Sequence, residues 1–239
     1  MRLFINGGGS GDKVFDIYSE INDIIDHDKP ALYVPLAMEE DKHPYDGCYE
    51  WIKSEIAAID VPFIKMVRSF EELCSLNYSD YSFIFIGGGN TFRLLKGLKD
   101  SGSFNKLKDF IINDGIVFGG SAGSVIMGYD VSCSMDDNNV GLEDTIGLNM
   151  LGGYSLFPHY TNYKSKLSEK DNKERMKLFT DRIIEYTKRG FKIIALPEED
   201  TICIKGETSK VKGTKNYYEF IDGKLIEKEP TNGRNIKHN

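Results

Sequence analysis

Ser121 lies in the run Gly119-Gly120-Ser121-Ala122-Gly123, a G-x-S-x-G spacing entered directly from the apolar segment Ile116-Val117-Phe118. A serine on a sharp strand-to-helix turn is lifted clear of a sheet edge, and only small neighbours allow so tight a backbone. Residues Ser121 to Met127 read as the opening turns of a helix. The hydroxyl would then sit beside unpaired helix N–H groups, where developing negative charge is favoured. That geometry suits a nucleophile. The plainer alternative is a glycine-rich turn with a serine N-cap.

A serine hydroxyl needs a base, and histidine is the usual one near neutral pH. The chain has four histidines. His27 and His43 fall in charged loops and His238 is one residue from the C-terminus. His159 instead follows Tyr154-Ser155-Leu156-Phe157-Pro158, where a strand should end on an ordered scaffold. A third group would orient the imidazole and stabilise its cation. Asp136, Asp137, Glu143 and Asp144 lie between serine and histidine, and Glu198 and Glu199 follow Leu196-Pro197 at another strand end. The residues alone leave these open.

Acyl transfer also needs two N–H donors aimed at the oxyanion. The N–H of Ala122, directly after the serine, is one. Gly87-Gly88-Gly89 after Ile84-Phe85-Ile86 supplies the other at Gly88, and Asn90-Thr91 can cap the next helix. A dinucleotide loop fails here, because the last glycine of G-x-G-x-x-G would fall on Phe92. The run Gly7-Gly8-Gly9-Ser10-Gly11-Asp12-Lys13 fits neither Rossmann nor P-loop spacing and reads as a flexible first loop at the same sheet edge.

The elements that must position these residues alternate. Strands are expected at 3–6, 31–35, 61–67, 81–86, 116–118, 191–196, 201–205 and 217–228. The last of these turns back at Asp222-Gly223. Helices are expected at 14–25, 49–59, 91–98, 105–113 and 170–188. This is the pattern of a parallel sheet covered on both faces. With 239 residues, 40% hydrophobic and 28% charged, one α/β domain over 1–239 is expected, with a frayed polar tail from 229 to 239. A net charge of −7 argues against a nucleic-acid or anionic-membrane surface. No apolar run is long enough to span a bilayer, and the N-terminus reads as a strand, not a signal peptide. Four scattered cysteines indicate neither zinc site nor disulfide framework and fit a reduced cytoplasm.

Together these residues resemble peptidase family S51, which includes dipeptidase E and cyanophycinase. The resemblance rests on Ile86-Gly87-Gly88-Gly89-Asn90-Thr91-Phe92-Arg93-Leu94-Leu95, Gly120-Ser121-Ala122-Gly123, Phe157-Pro158-His159-Tyr160-Thr161-Asn162 and Leu196-Pro197-Glu198. It implies a flavodoxin-like three-layer sandwich similar to class I glutamine amidotransferases, with a mostly parallel central sheet. Ser121 matches the nucleophile and His159 the base. For the acid, the dipeptidase branch implies an aspartate after the nucleophile helix, Asp137 or Asp136, with Glu198 as the further candidate. Gly89 and Asn90 are expected beside the substrate. Dipeptidase E cleaves dipeptides with an N-terminal aspartate, which needs a basic group. Where an arginine is expected, the chain offers Lys173, with Arg175 nearby.

The activity so implied is hydrolysis of short peptides through an acyl-enzyme, without metal or cofactor. The protein would be a cytoplasmic monomer or small homo-oligomer. An α/β-hydrolase esterase also suits G-x-S-x-G, although His159 follows Ser121 closely for that fold. A glutaminase would carry cysteine at the elbow. A non-enzymatic ligand-binding member of the same fold is the remaining alternative.

Overall fold

The computed structural model describes residues 1–231 and 236–237. Its first half runs β1 (Arg2–Asn6), α1 (Phe15–Asn22), β2 (Ala31–Val34), α2 (Tyr45–Glu55), β3 (Ile64–Met66), α3 (Phe70–Ser75), β4 (Phe83–Ile86), α4 (Thr91–Asp100), α5 (Ser103–Ile112) and β5 (Ile116–Gly120). After the one-turn helix α6 (Ala122–Val125) come β6 (Tyr154–Phe157), α7 (Glu169–Lys188), β7 (Lys192–Ala195), β8 (Thr201–Lys205), β9 (Thr208–Lys212), β10 (Tyr217–Ile221), β11 (Lys224–Lys228) and β12 (Ile236–Lys237).

The described strands form an eight-stranded sheet, ordered β12-β9-β8-β1-β5-β4-β2-β3, and a four-stranded sheet, ordered β11-β10-β7-β6. From β3 to β1 neighbours run parallel. From β1 through β8 to β9 they run antiparallel. The central sheet is thus mixed: the expected parallel run covers β3 to β1, and an antiparallel extension of β8, β9 and β12 adjoins it. The cause is local: Gly206 and Glu207 alone link β8 to β9, and Gly206 at φ +60° supports a tight hairpin turn, whereas a parallel partner would need a long crossover.

Side chains alternate across the parallel strands, so each strand feeds two cores. Leu3, Ile5, Ile84, Ile86 and Val117 face one side, against Leu94, Leu95, Leu98, Leu107 and Ile111 of α4 and α5. Phe4, Tyr33, Phe83, Phe85, Ile116 and Phe118 face the other, against Ile17, Tyr18 and Ile21 of α1 and Ile52 of α2. One face is therefore aliphatic and the other largely aromatic. The second sheet has its own core, with Phe157, Phe179, Ile183, Ile193 and Phe220 buried together.

Strand direction brings the chemistry to one edge. The ends of β1, β4 and β5 carry Gly7, Gly87 and Ser121 to the same side, the usual place for ligands in such sheets. Because β8 is antiparallel to β1, its start faces the end of β1, with Thr201 opposite Asn6. The link from β7 to β8 therefore lies at that edge too. β6 and β7 are parallel, with Phe157 opposite Ala195, so the segments following both emerge side by side.

The hairpin at Asp222-Gly223 forms as expected, with positive φ at both residues. The polar tail is tied down where it is described. Thr231 bonds the Val211 backbone in both directions, and Ile236–Lys237 pair with β9. His238 lies outside the described residues. Among the described residues, no helix is long and apolar enough to cross a membrane.

Candidate active site

Ser121 leaves β5 with φ 52° and ψ −112°, a conformation that costs a non-glycine residue energy and persists only where its surroundings enforce it. The flanking glycines do so. A Cβ at Gly119 would lie 2.6 Å from the Gly123 carbonyl oxygen, and one at Gly123 would lie 2.3 Å from that of Ile86. The helix that follows is only the four residues of α6, shorter than the expected run to Met127. The Gly88 and Ala122 N–H groups bond no protein acceptor among the described residues. Gly88 also lies against the serine, since a Cβ there would sit 3.2 Å from Ser121 Cβ.

His159 follows β6 with φ 57°, and its N–H donates to the Gly7 carbonyl at 2.8 Å. Its ring rests on the first glycine loop. A Cβ at Gly8 would fall 2.2 Å from Cε1 and 2.5 Å from Nε2. Gly8 adopts φ +104° and its N–H donates to Asn6 Oδ1, while Gly7 donates to the Asp200 carbonyl. The loop expected to be flexible is a fixed shelf for the imidazole. Nε2 stands 3.0 Å from Ser121 Oγ.

The carboxylate on the far side of the ring is that of Glu198, with Oε1 3.0 Å from His159 Nδ1. Hydrogen bonding to His159 pulls the Glu198 carboxyl down to about 2; partial burial opposes this, and Lys13 assists it. Lys13 Nζ donates to Glu198 Oε2, which in turn raises the lysine. The Glu198 N–H donates to Asn162 Oδ1 at 2.8 Å, and Asn162 Nδ2 donates to Glu199 Oε2 at 2.9 Å. An ionised acceptor at Nδ1 places the ring proton there and leaves Nε2 free to accept from Ser121.

The other acids lie elsewhere. Asp137, one of the two aspartates the resemblance implies, has an exposed side chain, and its backbone carbonyl accepts from Asn90 Nδ2. Asp136 Oδ2 takes the Thr91 N–H at 2.8 Å, satisfying the start of α4. Glu143 is exposed, and Asp144 pairs with Lys99. Gly89 and Asn90, expected beside substrate, hold the strand end instead. A Cβ at Gly89 would meet the Ala37 carbonyl at 2.5 Å, and Asn90 Oδ1 caps α4 through the Arg93 N–H.

Two hollows meet at Ser121. One, of about 720 Å³, is walled by His159, Asn162, Phe179, Arg175, Thr91 and Asp136. Arg175 donates to the Asn162 carbonyl at 2.9 Å and lies 4.4 Å over the Phe179 ring. Lys173 is an exposed partner of Glu169 one turn back and does not line this cleft. The second hollow, of about 490 Å³, lies over the aromatic face of the sheet. Gly8 and Lys13 belong to the loop that the sequence places at this sheet edge, but without a role there, and the aromatic wall escapes sequence reasoning. It reaches the site through strand order, which no local pattern encodes.

Asp200, two residues past Glu198, is fully buried. Its Oδ1 accepts the Thr214 and Lys215 N–H groups, and Oδ2 has no partner among the described residues. Burial pushes its carboxyl up to about 7. The native state therefore holds a proton that the unfolded chain sheds near pH 4, so this group lowers stability as pH rises from about 4 to 7. Asp200→Asn keeps the Oδ1 acceptor without the charge. It should raise the urea-derived stability at pH 8 by about 3 kcal/mol and give no gain at pH 4. An equal effect at both pH values would contradict this account.

The family model described as Peptidase family S51 matches residues 3–212. The chain is 25% identical over 194 residues to Peptidase E of Shewanella denitrificans, covering 80% of this chain and 78% of that protein. It is 24% identical over 206 residues to Peptidase E of Pasteurella multocida, covering 85% and 83%. In fold it matches the crystal structure of a peptidase from an acI-B1 Actinobacterium with TM-score 0.70 at 16% identity, covering 99% of this chain and 96% of that one. The structure is a mixed α/β sheet protein of the architecture that peptidase shares. The chain belongs to peptidase family S51, and is a hydrolase of the peptidase class.

Proposed function

We propose that the chain is a serine peptidase of short peptides, with Ser121 as nucleophile, His159 as general base and acid, and Glu198 as the group that orients the imidazole. The observation that carries this reading is the relay of two 3.0 Å contacts, Ser121 Oγ to His159 Nε2 and His159 Nδ1 to Glu198 Oε1, at the meeting point of two hollows. His159 takes the serine proton as Oγ attacks the scissile carbonyl. The N–H groups of Gly88 and Ala122 receive the oxyanion, and the positive end of the backbone at α6 favours it. His159 then protonates the leaving amine, and water hydrolyses the acyl-enzyme with His159 again as base. The ionised Glu198 stabilises the imidazolium in both steps.

The architecture fits the flavodoxin-like arrangement of class I glutamine amidotransferases. In the flavodoxin order 2-1-3-4-5, β3, β2, β4 and β5 take the first four places and β1 fills the fifth.

Arg175 lines the cleft together with Lys164 and Lys166, and is the cation this reading assigns to a carboxylate on the substrate, which supports dipeptides with an acidic first residue. Dipeptides varied at the first residue provide the test. Arg175→Ala should raise KM for those beginning with aspartate by about tenfold or more, since a hydrogen bond to a charge contributes about 1.5–3 kcal/mol. Lys173→Ala should leave these constants as they are. If no dipeptide is hydrolysed, the peptidase reading fails. If Lys173 matters and Arg175 does not, the assignment of the cation fails.

A further inference from the structure

The second hollow beside Ser121 has a composition that the catalytic relay does not require. Tyr33, Phe85 and Phe118 come from the aromatic face of the sheet, Trp51 and Gly47 from α2, and Met38 from the loop after β2. Their rings form a continuous wall. Phe85 stacks on Phe118 at 4.7 Å between centroids, Trp51 meets Phe85 edge-on at 5.9 Å, and Tyr33 lies 6.2 Å from Trp51. Trp51 is left 41% exposed. Ser10, Lys42, His43 and Cys48 also line the hollow, so a few polar groups stand beside its aromatic wall. The Tyr33 hydroxyl, on a residue only 1% exposed, has no hydrogen-bond partner among the described residues. A mainly apolar hollow with a few polar groups has the make-up of a ligand site.

The geometry points to this hollow as the pocket for a bulky apolar side chain, aromatic by preference, on the residue that follows the scissile bond. The inference rests on the peptidase reading and adds the leaving residue to it. The departing amine takes its proton from His159 Nε2, and that nitrogen lies directly over Gly8. Gly8 and Gly9 wall the aromatic hollow while His159 walls the other, so the leaving nitrogen sits where the two meet and the departing residue has a path over the shelf into the aromatic one. The acyl residue then faces Arg175 on the opposite side of Ser121. Ring-on-ring packing against Trp51 and Phe85 adds to the burial of apolar area, which favours an aromatic occupant over an aliphatic one.

Trp51 is the chain's one tryptophan, so its fluorescence reports on this pocket alone. Two measurements test the inference. With wild-type protein, dipeptides sharing one first residue and ending in glycine, alanine, leucine or phenylalanine should show kcat/KM rising along the series. The span from alanine to phenylalanine should be about tenfold or more. With Ser121→Ala protein, the phenylalanine dipeptide should change Trp51 emission saturably, and the alanine dipeptide should not at the same concentrations. Gly47→Leu places its side chain where a Cβ meets nothing within 4 Å, and should collapse the phenylalanine preference to about twofold. Trp51→Ala, one turn further along the same face of α2, should weaken the same preference by removing the ring itself. Hydrolysis with a flat series, or a preference untouched by Gly47→Leu and Trp51→Ala, would overturn the pocket and leave the peptidase standing. A saturable Trp51 response without hydrolysis of any dipeptide would support the pocket and overturn the peptidase.

Discussion

Ser121→Ala protein is expected to lose about a million-fold in kcat on any dipeptide the wild type cleaves, while melting within about 2 °C of it. Among the described residues the hydroxyl's one protein partner is His159 Nε2, so its removal deletes the attacking atom and little else. Alanine shares the Cβ that serine already carries at φ 52°, and thus adds no new strain. The Gly88 and Ala122 donors and both hollows remain. Residual hydrolysis over water should therefore persist at the level that binding and oxyanion stabilisation sustain. Product release followed chromatographically, beside a circular-dichroism melt, measures both quantities. Near-normal turnover in a folded Ser121→Ala protein would remove the nucleophile from the proposed mechanism.

Glu198→Gln should lower kcat by about ten-thousand-fold, whereas Asp137→Asn should change it less than about twofold. The glutamine amide occupies the same volume but can turn its NH₂ toward Nδ1. That orientation stabilises the imidazole tautomer with its proton on Nε2, and such a ring cannot accept from Ser121. It also loses the charge that holds Lys13 and that balances the imidazolium. Because His159 and Lys13 keep the Glu198 carboxyl at about 2, it stays ionised down to very acidic pH. Loss of activity on mild acidification cannot come from its titration. Its contribution to stability is present above the ordinary carboxylate range and is lost only as pH falls toward about 2. Steady-state rates for the two variants decide the matter. A severe loss in Asp137→Asn with a mild one in Glu198→Gln would restore the aspartate.

What was legible in the sequence was local. G-x-S-x-G forces its own geometry within five residues, and the two apolar-to-glycine transitions at Gly87 and Gly119 mark strand ends on their own evidence. Asp222-Gly223 names its turn for the same reason. Glu198 was visible as a strand-end acid, but its closeness to His159 depends on β6 and β7 being parallel neighbours, which spacing along the chain cannot report. The resemblance implied Asp136 or Asp137 instead, but Asp136 holds the start of α4 and Asp137 is exposed. β9 was missed because Thr208-Ser209-Lys210-Val211-Lys212 is largely polar, although Ser209 and Val211 are buried. Lys173 and Arg175 differ by helix phase. Arg175 shares a face with Phe179 four residues on and meets the cleft, while Lys173 turns back to Glu169. The aromatic hollow looked like core, since Tyr33, Phe85 and Phe118 are ordinary strand residues until Trp51 and Gly47 leave space above them.

The place of β1 between β5 and β8 also bears on how the protein is made. β1 has no sheet partner until Ile116–Gly120 has been synthesised, and it is not flanked on both sides until Thr201–Lys205 follows. Leu3, Phe4 and Ile5, each wholly buried at the end, wait without a strand partner while the next about 110 residues are made. Contacts so distant along the chain close slowly. The apolar N-terminal strand is thus the segment most open to chaperones and to mispairing in the nascent protein. The shelf under His159 takes shape only after both of its neighbours exist, so the catalytic relay is among the last features of the molecule to form.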